Sequence, residues 1–298
     1  MVTTLGVGLA LIAAIGLAGQ ALFVRLGPRE HGTTIAVVIT LVVNLVLFIP
    51  AAIVLTYPEY GITPVSLAAF AAAGLAGPMF GRICFFASIH RIGASRAEVV
   101  KASTPLVATL LAIVVLGERL TGLHFVGILL IVTGVAIVAR KRPIDADAVD
   151  VSLAGVTLAL GGAFFFGLVP IFVSIGFQEG TPVLVGLSIK VVAASIAFFA
   201  YLLWKRDPAL AASMRSHSLR DVRWYVVAGL AGTVFLYAYY AGLEIARVVV
   251  VVPIVYMSPL LVVAVSALFF VDRERVTKPL VISSILVISG GVLVTVFG

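Results

Sequence analysis

The sequence has few charged residues and a single cysteine. Of its 298 residues, 11% are charged and 62% are hydrophobic, whereas soluble domains carry about 25% charged residues. A soluble fold could not cover so much apolar surface with polar side chains. Cys84 has no second cysteine with which to form an internal disulfide. The shortage of charge therefore argues against an ordinary water-soluble protein and indicates lipid as the solvent.

The patterns of soluble enzymes and of nucleic-acid binding are also missing. The four histidines are scattered, no metal-ligand spacing occurs, and no glycine loop of the phosphate-binding type precedes a basic residue. The net charge of +7 comes from single basic residues or short clusters between apolar runs, and not from one basic face. We therefore expect no enzyme activity, no metal, no cofactor and no nucleic-acid partner. No basic region precedes the first apolar run, so that run predicts a retained helix and not a cleaved leader.

Long apolar runs predict membrane-spanning helices. Crossing about 30 Å of hydrocarbon takes about 20 helical residues, and continuous apolar runs of that length do not suit the alternating strands of a barrel. Ten spans are predicted, at 5–24, 34–56, 65–89, 97–116, 122–139, 152–175, 183–203, 224–243, 248–271 and 279–297.

Short segments recur in the second half of the chain at a nearly constant offset. The Gly-Leu-Ala-Gly of 74–77 recurs at 229–232, and the Glu-Arg-Leu-Thr of 118–121 corresponds to Glu-Arg-Val-Thr at 274–277. Each half holds five spans, an odd number, so the second half enters the membrane in the opposite orientation, as in many transporters. The predicted organisation is a first repeat at 1–140, a polar cytoplasmic linker at 141–151 and a second repeat at 152–298.

Lysine and arginine are distributed unevenly between alternate loops. The loops after spans 2, 4, 6 and 8 hold only Arg119 and Arg247. The loops after the odd-numbered spans hold Arg25, Arg29, Arg91, Arg96, Arg140, Lys141, Arg142, Lys205, Arg206, Arg215, Arg220, Arg223, Arg273, Arg275 and Lys278. The positive-inside rule therefore places both termini outside the cytoplasm, in a multi-pass protein of the cell membrane.

The stretch 94–139 combines a proline within one span, a Leu-Gly-Glu-Arg-Leu-Thr end and a glycine-bearing span. It resembles the EamA-type domain of the drug/metabolite transporter superfamily. Residues 247–296 resemble a second copy, with Val-Asp-Arg-Glu at 271–274 in place of Leu-Gly-Glu, and the resemblance covers nearly the whole chain. It implies an all-α membrane protein with ten transmembrane helices, in two inverted five-helix repeats around a central cavity that alternates its access.

Three basic residues fall inside the predicted spans, and such groups usually face a cavity or a partner because lipid does not solvate them. Arg82, about 10 Å from the end of its span by helical rise, is the best candidate for contacting a substrate carboxylate. A structural salt bridge or snorkelling to the interface is the alternative. Lys190 either faces the cavity or snorkels. Lys101 shares one helix face with Glu98, which either carries a coupling proton or forms an ion pair with Lys101.

Uncharged polar and aromatic residues complete the candidate substrate site. Asn44 and Gln20 could bind substrate, although such residues more often join membrane helices by hydrogen bonds. Tyr237, Tyr240 and Tyr256 lie on spans 8 and 9, where aromatic packing is the alternative reading. Tyr237 is the repeat mate of Arg82, which suggests that this pair has lost its symmetry for a specialised role.

Four prolines are predicted to interrupt their spans, since each lacks a backbone donor. They are Pro105, Pro170, Pro253 and Pro259. Pro105 and Pro259 occupy matching repeat positions and are the candidate gating points, with simple helix bending as the alternative.

The leading interpretation is a secondary active transporter, an exporter or exchanger of small metabolites that carry a carboxylate, such as amino acids or organic anions. The alternatives are an exporter of cationic drugs or toxic compounds, and a membrane scaffold or receptor without transport. A membrane-embedded enzyme would need clustered His, Asp or Glu at depth, which the sequence lacks. The expected partners are a small-molecule substrate, membrane lipids and either a coupling proton or a counter-substrate, for a monomer or weak dimer.

Overall fold

The computed structural model of the chain is helical through most of the part that it describes, namely residues 2–27, 32–92, 97, 100–139, 153–205, 219–269 and 278–297. These ranges contain no β-strand. Their α-helices are α1 Val2–Leu26, α2 Gly32–Leu55, α3 Pro64–Leu75, α4 Arg82–Ile92, α5 Thr104–Leu116, α6 Gly122–Ala139, α7 Leu153–Gln178, α8 Val183–Lys205, α9 Leu219–Ile245, α10 Val248–Val255, α11 Ser258–Phe269 and α12 Lys278–Phe297.

Ten apolar helical segments occur in the described ranges. Six are long enough to cross a membrane: Thr4–Val24, Thr34–Leu55, Pro64–Ile92, Leu153–Gln178, Val183–Trp204 and Val222–Ile245. Four are shorter: Thr104–Leu116, Gly122–Ile137, Val248–Val262 and Ile282–Val294. Each segment coincides with one predicted span, so the predicted ten-helix membrane fold is confirmed.

The outer surface of the bundle is apolar. Val114, Val54 and Leu203 are each more than 70% exposed, and many other large hydrophobic side chains share that surface. In water such a surface would favour aggregation, whereas in lipid it needs no further cover. The helices can therefore be apolar on all sides, because their backbone polar groups are satisfied internally.

The fourth and ninth spans are broken at matching positions. Ser103 N–H donates to Val100 C=O at 3.0 Å, and Met257 N–H donates to Ile254 C=O at 3.1 Å, in tight turns that precede α5 and α11. The residues of the two turns are 154 positions apart, the same offset that separates Pro105 from Pro259. The inverted repeat therefore includes a pair of discontinuous helices.

Both prolines of this pair lie in the first turn of the helix that follows the break. Proline fits there because the first turn needs no intrahelical N–H donor. Pro170 instead lies inside α7, which is continuous from Leu153 to Gln178, and Pro253 lies inside α10. The prediction that these two prolines interrupt their helices is therefore wrong.

A π-helical turn, Ala76–Gly81, joins α3 to α4 within the third span. Pro78 lies in this turn and cannot donate a backbone hydrogen bond, and its ring would clash with a carbonyl of the preceding turn in a regular α-helix. The turn closes with the N–H of Arg82 bonded to the carbonyl of Gly77. The extra residue in the turn changes the direction in which the Arg82 side chain projects from the helix. Such π-bulges are frequent at functional sites.

Helices of one half pack mainly against helices of the other half, in matching pairs. Helix α1 packs against α9, and its counterpart α7 packs against α3 and α4. Helix α2 contacts α9, and its counterpart α8 contacts α3. Helix α1 also contacts α10 and α11, and α7 likewise contacts α5. Helices α6 and α12 pair with each other. Gly127 and Gly290 allow that close approach, because a Cβ on either would meet the other's carbonyl oxygen at 2.8 or 2.5 Å.

The loops after spans 2, 4, 6 and 8 meet at one end of the bundle, called here the even-loop end. Thr63 Oγ1 donates to Glu179 Oε2 at 2.8 Å across two of these loops, and Thr121 Oγ1 donates to Phe297 C=O at 3.2 Å. Gly6 of α1 lies against Ala246. The outer ends of the first and last described helices are therefore at the same end of the bundle, as an even number of spans requires.

Candidate functional site

The structure brings Arg82 and Lys190 together in the interior of the bundle. Arg82 is half-buried at the start of α4, and Lys190, on α8, is 8% exposed. The π-helical turn that directly precedes Arg82 contacts α8, the helix that carries Lys190. The third span approaches α8 closely at Gly74 of α3. This residue has no side chain and lies directly against the backbone carbonyl of Lys190.

Tyr240 of α9 forms one wall of this site. The Lys190 Nζ lies over its ring, 5.4 Å from the centroid, in the geometry of a cation–π interaction. The side chain of Tyr240 is fully buried, and its hydroxyl has no hydrogen-bond partner among the described residues. The Tyr240 hydroxyl is therefore a hydrogen-bond donor that no described residue uses.

The two cations have no acidic partner within the described part of the chain. The acidic side chains described there, Glu59, Glu118, Glu179 and Glu244, follow or end the even-numbered spans and so lie toward the even-loop end. The sequence raised a structural salt bridge as the alternative role of Arg82, and the described residues offer no such bridge. Buried cations are unfavourable without an anion, so Arg82 and Lys190 are both candidates to bind one.

Lys101 contacts two aromatic rings near the third span. Its Nζ is 4.3 Å from the ring centroid of Phe85 and 5.8 Å from that of Phe166, at the break that precedes α5. It has a further interaction in addition to these two. Glu98, its predicted ion-pair partner, lies outside the described residues, so that pair remains a prediction.

Asn44 and Gln20 are at contacts between helices. Thr233 Oγ1 donates to Asn44 Oδ1 at 2.8 Å, which joins α2 to α9, and Asn44 is buried. The Gln20 side chain lies against Gly232, between α1 and α9. These placements match the helix-joining role that the sequence left open for both residues.

The three predicted tyrosines are in different surroundings. Tyr237 is 47% exposed, whereas Tyr240 is fully buried. Tyr256 is at the break that precedes α11 and packs against the buried core that contains Tyr240. Tyr240 itself contacts Lys190.

An aromatic layer separates the cation pair from a cavity at the even-loop end. The ring of Phe177 is 5.3 Å from that of Phe70 and 6.1 Å from that of Tyr240, both edge-on. Phe177 also lines the cavity, which has a volume of about 370 Å³ and includes Gln178, Glu244 and Arg247 in its wall. Phe177 thus lies between the cavity and the ring of Tyr240, over which Lys190 is placed.

The sequence analysis did not identify Phe70 and Phe177 as site residues, because aromatic side chains in a membrane protein are not distinctive. The signal that could have indicated them is the pair of glycines, Gly176 and Gly186. A Cβ on either would lie 2.5–2.6 Å from the ring of Phe70, so neither position has room for a side chain.

A second contact between the halves, the Glu118 clasp, lies beside the cavity. The two carboxylate oxygens of Glu118 accept hydrogen bonds from the N–H groups of Val248 and Val249, at 2.8 and 2.9 Å. His124 Nε2 contacts the carbonyl of Val249 at 2.7 Å, and Arg247 Nη1 donates to the carbonyl of Arg119 at 3.2 Å. The Glu-Arg motif of the first half therefore holds the first turn of α10 in the second half.

The described residues contain no group of three or more His, Cys, Asp or Glu that could hold a metal ion. What they do bring together is a cation pair, a buried tyrosine and an aromatic layer beside a cavity. This arrangement can bind an anionic group and separate it from one face of the membrane.

Comparison with known proteins identifies the family and the fold. The sequence model of the EamA-like transporter family matches residues 4–140 and again residues 153–296. No curated protein sequence matches this chain. A protein of known crystal structure is similar over 97% of this chain and 95% of its own, with a TM-score of 0.76 and 16% sequence identity. At that identity the similarity concerns the fold alone.

Proposed function

Since the chain belongs to the EamA-like transporter family, we propose that it carries small metabolites with a carboxylate or similar anionic group across the cell membrane by alternating access. The family makes it a membrane transporter of the drug/metabolite type. The proposal adds the class of substrate and the mechanism, with the protein acting as an exporter or exchanger.

The observation that carries the proposal is that Arg82 and Lys190 lie in the interior on elements that contact each other, without an acidic partner among the described residues. A guanidinium offers a planar fork of donors that matches a carboxylate, so Arg82 can bind it through two parallel hydrogen bonds. A cationic drug would be repelled by the same pair. The site therefore supports the anionic substrate over the cationic one.

The paired helix breaks support alternating access. In each half a short turn precedes a proline, so the segments on either side are not joined by regular helical hydrogen bonds. Discontinuous helices near the middle of the membrane are typical of transporters built from inverted repeats. We propose that Pro105 and Pro259 mark the two points at which these helices bend when access changes sides.

Transport by purified protein in proteoliposomes tests the substrate class. A thermal-shift screen against amino acids, organic anions and cationic drugs first supplies a ligand, because a compound that binds only the folded state raises its stability. Uptake of a labelled anionic hit should then be abolished by Arg82→Gln and partly restored by Arg82→Lys, which keeps the charge and loses the fork. Preloading the vesicles with the same compound accelerates uptake if the protein is an exchanger.

Arg91→Gln is the matched control, because Arg91 is exposed at the far end of the same helix, α4. It should leave uptake unchanged. Undiminished uptake by folded Arg82→Gln, or strong binding of a cation that has no acidic group, would overturn the proposal. Absence of transport for every ligand that binds would favour a receptor or scaffold.

A further inference from the structure

The cavity at the even-loop end is bounded on one side by the ring of Phe177. Ser174 and Gln178 line it too, so one face of the last turns of α7 forms part of its wall. The other side of the Phe177 ring meets Tyr240, over whose ring the ammonium of Lys190 lies. One aromatic side chain therefore separates the cavity from the surroundings of a residue that is proposed to bind substrate.

We infer that Phe177 is the gate of the transport route at the even-loop end. In its position against Phe70 and Tyr240 the ring closes the route, and rotation of the ring into the cavity opens it. The cavity is then the vestibule through which substrate passes to or from the interior site. This assignment rests on the proposed function, since a gate needs a substrate to pass it, and it adds a single side chain that controls passage. It is distinct from the bends at Pro105 and Pro259, which move whole helices.

The surface against which the gate closes is rigid. Phe70 is fully buried, and a Cβ at Gly176 of α7 or at Gly186 of α8 would lie 2.6 or 2.5 Å from its ring. Phe70 therefore has no room to move. The ring of Phe177 meets it edge-on at 5.3 Å between centroids and meets Tyr240 edge-on at 6.1 Å. Edge-on aromatic pairs attract each other, so the two contacts stabilise the closed position of the Phe177 ring.

Phe177 itself has space on its other side. Its side chain is only half-buried, and it borders a cavity of about 370 Å³. A side chain changes direction by rotating between staggered positions about its Cα–Cβ bond, and the cavity provides the volume for such a rotation. The contrast with the confined ring of Phe70 identifies Phe177 as the member of the aromatic layer that is able to move.

The backbone that carries the gate is held in place. Thr63 Oγ1 donates to Glu179 Oε2 at 2.8 Å, and Thr181 Oγ1 donates to the carbonyl of Gly61 at 2.6 Å. These two bonds join the loop after α7 to the loop after α2, directly beside the last turn of α7. The motion that opens the route is therefore assigned to the side chain of Phe177 and not to the end of its helix.

Thiol labelling of the full-length protein tests the gate without a known substrate. The chain has one cysteine, so Cys84→Ser gives a background into which a single reporter cysteine is introduced. Ser174→Cys reports on the cavity, and Lys190→Cys reports on the side of the aromatic layer away from it. A sulfonate-bearing methanethiosulfonate, which does not cross membranes, is added to intact cells and, separately, to inverted membrane vesicles. The preparation in which Ser174→Cys reacts exposes the cavity, and the labelling rates are compared in that preparation.

Lys190→Cys should react at least about 10-fold more slowly than Ser174→Cys while the Phe177 ring is present. Addition of Phe177→Ala should raise the rate at position 190 by at least about 10-fold and leave the rate at position 174 unchanged. Phe177→Leu, which keeps an apolar side chain but lacks the ring, should give an intermediate rate. Phe164→Ala is the matched control, because Phe164 is on the same helix and is 44% exposed, and it should change neither rate.

Three results would overturn the gate. They are equal rates at positions 174 and 190 with the Phe177 ring in place, an unchanged rate at 190 in Phe177→Ala, and an equal rise in Phe164→Ala, which would show general loosening of the bundle. Phe177→Leu replaces Phe177→Ala if that variant does not fold, and Arg82→Cys replaces Lys190→Cys as the interior reporter. The proposed function is tested separately by uptake into proteoliposomes, so its failure would leave these labelling rates as they are.

Discussion

The buried polar side chains of this protein are of two kinds. Asn44 and His124 bond to Thr233 and to the backbone of Val249 on another helix, so they hold helices together. Lys190 is buried against the ring of Tyr240, and the hydroxyl of Tyr240 has no hydrogen-bond partner among the described residues. Because a polar group in an apolar interior is costly without a partner, the residues of the second kind are the better candidates for binding a substrate.

Thr233→Val should destabilise the protein by about 1 kcal/mol, because it leaves the buried Asn44 Oδ1 without its donor. Transport should continue at nearly the normal rate if Asn44 serves to join helices. Thermal unfolding in detergent and uptake into proteoliposomes measure the two effects.

Thr157→Val is the control for that change. Thr157 Oγ1 lies 3.0 Å from the carbonyl four residues earlier, as Thr233 Oγ1 does, but Thr157 is exposed and makes no bond to another helix among the described residues. It should have little effect on stability. Equal loss of stability in the two variants would contradict the role given to Asn44, and so would loss of transport by stable Thr233→Val.

Gly186→Ala should destabilise the protein by about 1–3 kcal/mol, the usual range for overpacking. The new Cβ would lie 2.5 Å from the ring of Phe70, which Gly176 confines on another side. Gly8→Ala is the comparison, because a Cβ there meets nothing within 4 Å and alanine favours the helix. Unfolding temperatures should fall for the first variant only, and equal temperatures would show that Phe70 has room to move.

Among the elements, α10 is unusual because all eight of its residues are buried. The first N–H groups of any helix lack partners within the helix, and a buried helix cannot obtain them from water. The Glu118 clasp supplies two acceptors to Val248 and Val249. The Glu-Arg motif thus has a structural explanation that lies in the opposite half of the chain.

Glu118→Ala should lower the free energy of unfolding by about 2 kcal/mol, because two buried N–H groups lose a charged acceptor. Glu118→Gln, with one acceptor oxygen, should be intermediate. Glu179→Ala is the control, since that exposed carboxylate accepts one bond from Thr63 at the same end of the bundle and should contribute less than about 1 kcal/mol. Similar losses for Glu118→Ala and Glu179→Ala in thermal unfolding would contradict the capping role.

Pro105→Ala and Pro259→Ala should each slow transport, by similar factors, without a large loss of stability. Proline disfavours helical geometry in the residue before it and lacks an N–H, so it prevents the following helix from extending back across the break. Alanine removes both restraints and should stiffen the bend. Initial rates of uptake measure this, with Pro50→Ala in α2 as the control. A reduction in one variant alone would contradict the symmetric gating that we propose.

At the scale of the molecule, contacts between loops place the outer ends of the first and last helices at the even-loop end. The lysines and arginines of the sequence are concentrated in the loops of the opposite end. The fold therefore relates the termini to one another, and the charge asymmetry supplies the direction, since basic loops remain in the cytoplasm.

Both termini should therefore lie outside the cytoplasm. Reporter proteins fused after Gly298 test this, one active only in the cytoplasm and the other only outside it. Activity of the external reporter alone is expected, and activity of the cytoplasmic reporter would reverse the orientation. Fusions placed in the linker at 141–151 provide the opposite result as an internal control.

The number of spans, the repeat and the membrane environment could all be predicted from the sequence. Each depends on local composition, because a run of about 20 apolar residues is stable as a helix in lipid whatever its neighbours are. The repeat is visible as matching segments such as 74–77 and 229–232, and an odd number of spans per half requires inversion. These properties need no knowledge of how the helices pack.

Tertiary structure alone decided which polar residues meet. A membrane helix that is apolar on all sides lacks the polar face that orients a helix of a soluble protein. The sequence could single out Arg82 by its charge, but it could not show that Tyr240 lies against Lys190 while Tyr237 is exposed. The rotation of each helix is set by close contacts, such as Gly74 against Lys190 and the π-helical turn before Arg82. Those contacts join segments far apart in the chain, and for that physical reason the site emerges only when the two halves pack together.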